Sequence, residues 1–192
     1  MQYICVNQIN EHGLRKFRQE FWNLDRNSNQ PIIPIVIDCY GGEVYSVLGM
    51  VSLIKSTEKQ VCTIVDSKAM SAAAVLLSVG SKGLRFASEY AHIMVHEVLT
   101  GSGHTKVSDV NIDTNHALDL NKQLFAILDE NCNKPKGFFY KAVESNKNSN
   151  LYLNAKQAKK YGIIDHIDTP RFDMSTEFSI STLQRTAPTQ EK

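Results

Sequence analysis

The stretch "SKAMSAAAVLLSVG", residues 67–80, sets a hydroxyl group between two apolar segments. The residues before it, "QVCTIV" (60–65), predict a buried strand, and the residues after it, "AAAVLLSVG" (72–80), predict a buried helix. Ser71 would then stand where a strand turns into a helix, and free amides at a helix start suit an oxyanion. A lone serine at this place is more commonly a helix N-cap.

A glycine pair and a histidine complete a possible catalytic set around this serine. Gly41 and Gly42 follow an apolar strand. Because glycine has no side chain, the backbone there can approach a ligand closely, although an ordinary turn would also use these residues. His96 ends the apolar run "HIMVH", where a histidine is often structural. Together, Ser71 as nucleophile, His96 as base and the amides of Gly42 and Ala72 as oxyanion donors predict acyl-transfer chemistry.

Strand and helix patterns alternate along the chain, which predicts an α/β fold. Pro34 places its strand near a sheet edge or limits its pairing. The longest helix carries an apolar stripe of Val110, Thr114, Ala117, Leu118, Leu124, Phe125 and Leu128. The predicted strands are 3–6, 31–38, 60–65, one within 80–88, 91–98 and 163–168, and the predicted helices are 11–24, 44–56, 72–79, 109–133, 138–145 and 154–162. The pattern predicts one domain, residues 1–168, and a polar, flexible tail, residues 169–192.

Composition excludes several functional classes. The 21 basic and 20 acidic residues leave a net charge of +1, so no general field attracts nucleic acid or an anionic membrane. The sequence has no apolar run long enough to span a membrane and no spacing typical of metal ligands, so we expect no membrane, metal or cofactor. Without a signal peptide, we expect a cytoplasmic protein whose Cys5, Cys39, Cys62 and Cys132 are reduced and buried.

Three stretches resemble the ClpP serine peptidase family, within the ClpP/crotonase fold: "VIDCYGGEVYSVLGMVSLIKS", "SKAMSAAAVLLSVGSKGLRFASEYAHIMVHEV" and "NLYLNAKQAKKYGIIDHI". The resemblance covers roughly residues 3–167. It implies an α/β spiral of β-β-α units with a long protruding handle helix. It also implies that Ser71 is the nucleophile, His96 the general base, and Gly42 and Ala72 the oxyanion hole.

The same resemblance implies an assembly and a substrate. Subunits of this family form stacked heptameric rings around a chamber, and a partner AAA+ Clp ATPase uses the ATP. Unfolded polypeptides would add as a strand between residues 42–46 and 98–102. The implied substrate-binding residues are Gly41, Glu43, Val44, Val98 and Leu99.

The sequence departs from the family pattern at several positions. Asn150 stands where the family has the aspartate of its triad, and Glu144 is a nearby carboxylate that could substitute. "CYGG" replaces "SPGG", and Ala72 replaces a methionine, which leaves the backbone amide in place. The chain also begins at the first core strand, so we expect the segment that forms axial loops to be missing and ATPase docking to be affected.

Three functions remain open. The first is an active serine endopeptidase subunit that cleaves unfolded chains inside an oligomeric chamber. The second is a catalytically weak or silent subunit that assembles with, or modulates, another Clp peptidase; Asn150 motivates it. The third is a crotonase-like acyl-CoA enzyme on the same fold, in which a Ser–His pair at this spacing would have no use.

Overall fold

The structure, a computed structural model, describes residues 1–99, 106, 110–146 and 150–172. Residues 100–105, which include most of the substrate-flanking segment predicted at 98–102, and most of the predicted tail (173–192) lie outside these residues. Along the chain the elements are β1 (Ile4–Val6), α1 (Glu11–Arg26), β2 (Ile32–Cys39), α2 (Val44–Ser56), β3 (Gln60–Met70), α3 (Ala72–Ser78), β4 (Arg85–Ala87), β5 (His92–Val95), α4 (Val110–Asn131), α5 (Phe138–Ser145), β6 (Leu151–Asn154), α6 (Ala155–Tyr161) and β7 (His166–Ile167).

The sheet is built around β3. Its main path runs β1-β2-β3-β4-β7 with every neighbouring pair parallel. The first half of β3 pairs with β4 at Thr63–Val65, and its second half pairs with β5 at Lys68–Met70. Strand β5 then pairs with β6 in antiparallel register. Because the second half of β3 pairs with β5, the ends of these two strands lie side by side. The candidate site forms at these two strand ends. The α/β class that the sequence predicts is confirmed.

Helices cover the sheet and close the core. Helix α1 buries Phe17, Phe21 and Leu24, which follow helical spacing, and Asn10 caps its first turn by accepting the amide of Gly13 at 2.8 Å. Every residue of α3 is buried. A buried helix that directly follows a buried strand gives Ser71 rigid support on both sides.

Helix α4 differs from its predicted apolar stripe. Only its second half is buried, at Asn121, Phe125, Leu128 and Asp129. Leu118 is 50% exposed, because the first half of α4 extends beyond the other described elements that could cover it. An apolar pattern predicts a helical face but not that this chain alone covers it. The protruding helix agrees with the handle that the resemblance implies.

Several other expectations from the sequence need correction. Strand β3 continues to Met70 instead of ending at residue 65, so no loop separates it from Ser71. Strand β6, which the sequence pattern does not predict, pairs with β5. Cys5 is exposed, because it points away from the core in β1, whereas the other three cysteines are buried. Pro34 lies inside the sheet, and its effect is limited because pairing with β1 begins only at Ile35.

Two polar clusters tie the peripheral elements to this core. Arg85 in β4 makes a two-pronged ion pair with Asp165, with Nη2–Oδ1 at 2.6 Å and Nε–Oδ2 at 2.9 Å. Asp129 in α4 accepts the amides of Gly137 and Phe139 at 2.6 and 3.0 Å, where α5 begins. The carboxylate of Asp129 therefore caps the first turn of α5 from α4.

Candidate active site

Ser71 occupies a sharp turn between β3 and α3. Its φ of 57° and ψ of −125° are unusual for a residue with a side chain. The amide of Ser71 donates to Met94 O at 2.8 Å, so the turn stays registered with β5. Ser71 is the N-cap residue of α3, but its side chain caps no helix amide. The N-cap explanation therefore does not account for the hydroxyl, which points elsewhere.

The hydroxyl of Ser71 contacts His96. Ser71 Oγ lies 2.7 Å from His96 Nε2, within the range required for proton transfer. Burial lowers the pKa of His96 below its ordinary value of 6.5, so the imidazole is neutral near pH 7. A neutral imidazole can accept the serine proton, so the predicted pair has the geometry and the charge state of a nucleophile and its base.

The amides of Gly42 and Ala72 are the predicted oxyanion donors. Within the described part of the chain, neither amide donates to a protein acceptor. Ala72 is the first residue of α3, where an amide has no partner inside the helix. In the glycine turn, the amide of Glu43, the residue after Gly42, donates to Ile9 O at 2.9 Å, and this bond fixes the turn.

Glycine is required at both turn positions by close backbone packing. A Cβ on Gly41, where φ is 104°, would lie 2.7 Å from Ser71 Cβ. A Cβ on Gly42 would lie 1.9 Å from Ile9 O. The glycine turn therefore presses against the serine turn, which is the approach that an oxyanion hole shared by Gly42 and Ala72 needs.

Among the described residues, Asn150 makes no hydrogen bond to His96. The β5–β6 ladder ends at Val95 opposite Leu151, so continuing its register by one residue would bring Asn150 opposite His96. Among the residues that the structure describes, the Asn150 side chain bonds only to Tyr152 Oη, at 3.3 Å. Glu144, the alternative carboxylate, is exposed on α5. The described residues thus provide no hydrogen bond that orients His96.

A cavity of about 290 Å³ opens beside the Ser–His pair. Of the five predicted substrate-binding residues, Val44, Val98 and Leu99 line it. Gly41 packs against Ser71 instead, and Glu43 accepts the hydroxyl of Ser46 at 2.9 Å. The deeper wall is apolar and is formed by Val75, Leu124, Phe125 and Leu128.

Tyr40 and Asn121 at this cavity were not predicted from the sequence as site residues. Tyr40 lines the opening and is 77% exposed, with Lys68 Nζ 4.5 Å from its ring centroid. Asn121 is buried on α4 and accepts the amide of Val98 at 2.9 Å. The sequence signal for Asn121 is a polar residue one helical turn before Phe125, within the apolar stripe of the longest helix.

No cluster of histidine, cysteine or acidic residues that could hold a metal ion occurs in the described ranges. In the same part of the chain, no helix is long and apolar enough to cross a bilayer. The four cysteines form no disulfide there.

Comparison with known proteins identifies relatives of the chain. The family model described as Clp protease matches residues 2–171. The chain is 30% identical over 162 residues to ATP-dependent Clp protease proteolytic subunit 2 of Prochlorococcus marinus strain NATL2A, covering 84% of this chain and 79% of that protein. It is 30% identical over 160 residues to the ATP-dependent Clp protease proteolytic subunit of Porphyromonas gingivalis strain W83, covering 83% and 70%. Since the match spans the sheet, the serine turn and the histidine strand, the chain belongs to the Clp protease family.

Proposed function

We propose that the chain is a serine endopeptidase subunit that hydrolyses peptide bonds of unfolded polypeptides. The observation that carries the proposal is the 2.7 Å contact between Ser71 Oγ and His96 Nε2 beside an apolar cavity. Membership of the Clp protease family supports proteolysis, and the Ser–His contact supports the serine type. An acyl-CoA enzyme would have no use for this pair.

The reaction follows from the positions of these groups. Ser71 Oγ attacks the peptide carbonyl while His96 Nε2 takes the hydroxyl proton. The amides of Gly42 and Ala72 stabilise the oxyanion that forms. Protonated His96 then gives the proton to the leaving amine, which departs as the acyl-enzyme forms. Water, deprotonated by His96, hydrolyses the acyl-enzyme and restores Ser71.

The assembly is part of the same proposal. We expect the subunit to form rings, stacked through the protruding half of α4, and to receive substrates from a Clp ATPase that uses the ATP. The ATP-dependent relatives support the ATPase, and the exposed Ile112 and Leu118 on α4 support burial against another subunit. The peptidase itself needs no metal or cofactor for the steps above, and we expect it to act in the cytoplasm.

A second function is favoured by one observation. Asn150, the residue just before the last pair of the β5–β6 ladder, makes no hydrogen bond to His96 among the described residues. In trypsin-like proteases, replacing the triad aspartate by asparagine lowers turnover by about 10⁴-fold, because the histidine is then held in the wrong tautomer. A weak or silent subunit that assembles with, or modulates, another Clp peptidase is therefore the alternative.

Labelling with a fluorophosphonate probe, read by intact mass, separates the two functions. We expect one adduct on the wild type and none on Ser71→Ala or His96→Ala. His92→Ala is the matched control, since His92 is exposed at the other end of β5 and its replacement should leave the adduct intact. Absence of an adduct on folded, assembled wild type would favour the silent subunit.

A further inference from the structure

Residues 97–99, here called the edge segment, form one wall of the cavity next to His96. Strand pairing on both sides stops before this segment. The β3–β5 ladder ends at Met94, because the chain turns into α3 at Ser71, and the β5–β6 ladder ends at Val95. The edge segment therefore presents backbone groups that a substrate strand can pair with.

A single hydrogen bond holds the edge segment to the rest of the described protein. The amide of Val98 donates to Asn121 Oδ1 at 2.9 Å, and the structure gives no other hydrogen bond from the segment to a described residue. Without this bond, the segment would be joined to the rest of the described protein only by its covalent connection to β5 and by packing. Such a segment would have to be ordered each time a peptide binds, which lowers affinity.

The acceptor of this bond is itself rigidly placed. Asn121 is 7% exposed, and the same face of α4 buries Phe125 and Leu128 at 4% and 2% exposure. Tyr140 of α5 packs edge-on against Phe125, with ring centroids 5.8 Å apart. The packing of α4 therefore fixes the position of Asn121 Oδ1.

We propose that Asn121 is a positioning residue that holds the edge segment in the conformation that accepts a peptide strand. It acts through Val98 and does not contact the reacting atoms. The helix that carries Asn121 also extends outward as the handle, so the same bond connects the handle to the substrate-binding edge. This inference rests on the proposed peptidase function, because it assigns a role in binding the same substrate.

The first test measures the bond without relying on catalysis. In Asn121→Leu, which has similar size but no acceptor, we expect hydrogen exchange at the Val98 amide to become about tenfold faster or more, as expected when one partly buried hydrogen bond is lost. In Asn121→Asp, which retains an oxygen at the same place, we expect protection close to that of wild type. Gln123→Ala, an exposed change on the same helix, is the matched control.

The second test measures peptide binding in a Ser71→Ala background, again without catalysis. The probe is a fluorescein-labelled, unstructured decapeptide with a central leucine, followed by anisotropy. We expect Asn121→Leu to weaken its binding about tenfold, and Asn121→Asp to restore it. With Ser71 intact, Asn121→Leu should raise KM about tenfold, leave kcat nearly unchanged and leave fluorophosphonate labelling at the wild-type rate.

Different outcomes separate this inference from the proposed function. If the wild type forms no adduct but peptide affinity still depends on Asn121, the catalytic proposal fails and the positioning role stands. If Asn121→Leu leaves Val98 exchange or peptide affinity unchanged, the positioning role is wrong. It is also wrong if Asn121→Leu and Asn121→Asp lower labelling, kcat and affinity together, since that pattern indicates general disruption of the fold.

Discussion

At the scale of single residues, the environment of His96 determines when the proposed nucleophile is active. Burial lowers the pKa of His96 below 6.5, and the base works only when its imidazole is uncharged. We therefore expect the labelling rate of Ser71 to rise with pH through a midpoint below 6.5 and then to stay level. Labelling rates measured across the acidic range test this, and a midpoint at or above the ordinary histidine value would contradict it.

The same measurement on Asn150→Asp tests whether the position opposite His96 limits the reaction. A carboxylate there would stabilise the imidazolium, so the midpoint should move upward and the plateau rate should rise by about tenfold or more. Gln123→Glu adds one negative charge to an exposed residue of α4 and should change neither. An unchanged rate in Asn150→Asp would mean that this side chain does not reach His96.

At the scale of secondary-structure elements, Asp129 connects α4 to the start of α5. Asp129→Ala leaves the amides of Gly137 and Phe139 without their acceptor, so we expect the free energy of unfolding to fall by about 2 kcal/mol. Asp129→Asn, which retains one oxygen, should lose less. Urea unfolding followed by circular dichroism measures both.

A control on the adjacent residue shows whether the effect belongs to the cap. Glu130 pairs with Lys55 on the surface at 3.1 Å, and such a pair contributes about 0.5 kcal/mol or less. Glu130→Ala should therefore unfold at nearly the wild-type urea concentration. Equal losses in Asp129→Ala and Glu130→Ala would show that the α5 amides find other partners.

Elements with a strong local pattern could be predicted from the sequence. Helix α1 follows the spacing of Phe17, Phe21 and Leu24, and α6 follows its cap at Asn154 and its stop at Gly162. Strand β6 could not be predicted, because its four residues are held mainly by pairing with β5, a contact distant in sequence. The second half of β3 was missed for a related reason, since its polar residues interrupt the apolar run while β2 and β5 continue to pair with it.

The candidate site was predictable to the extent that it depends on backbone turns. Ser71, Gly42 and His96 stand at strand ends, and strand ends of a parallel sheet meet at one edge. Asn121 could not be predicted as part of the site, because its contact with Val98 depends on how α4 folds back over the sheet. The relation of Asn150 to His96 required the antiparallel register of β5 and β6.

At the scale of the whole molecule, the pair between Arg85 and Asp165 joins the far edge of the sheet to the helices. Arg85 also donates to Asn131 O, at the end of α4, at 3.0 Å. Burial alone would raise the pKa of Asp165, but the hydrogen bonds and charge of Arg85 more than offset this, so the pKa lies below 3.8. The folded state therefore favours the ionised carboxylate, which links stability to pH.

The direction of this linkage gives a specific expectation for Asp165→Asn. A carboxyl group with a lowered pKa in the folded state stabilises the fold fully above its unfolded pKa, and this stabilisation is lost as pH falls through the folded pKa. Asp165→Asn retains an acceptor for the amides of Gly83 and Arg85 but leaves the guanidinium without a counter-charge, so we expect a loss of about 3 kcal/mol at neutral pH. The difference in the free energy of unfolding between variant and wild type should then shrink as pH falls below 3.8, because the wild-type carboxyl also becomes neutral.

Urea unfolding at a series of pH values measures this difference, and Asp168→Asn, an exposed change just after β7, is the matched control. A difference that stays constant down to the acid transition would show that the charge of Asp165 does not hold the edge of the sheet in place.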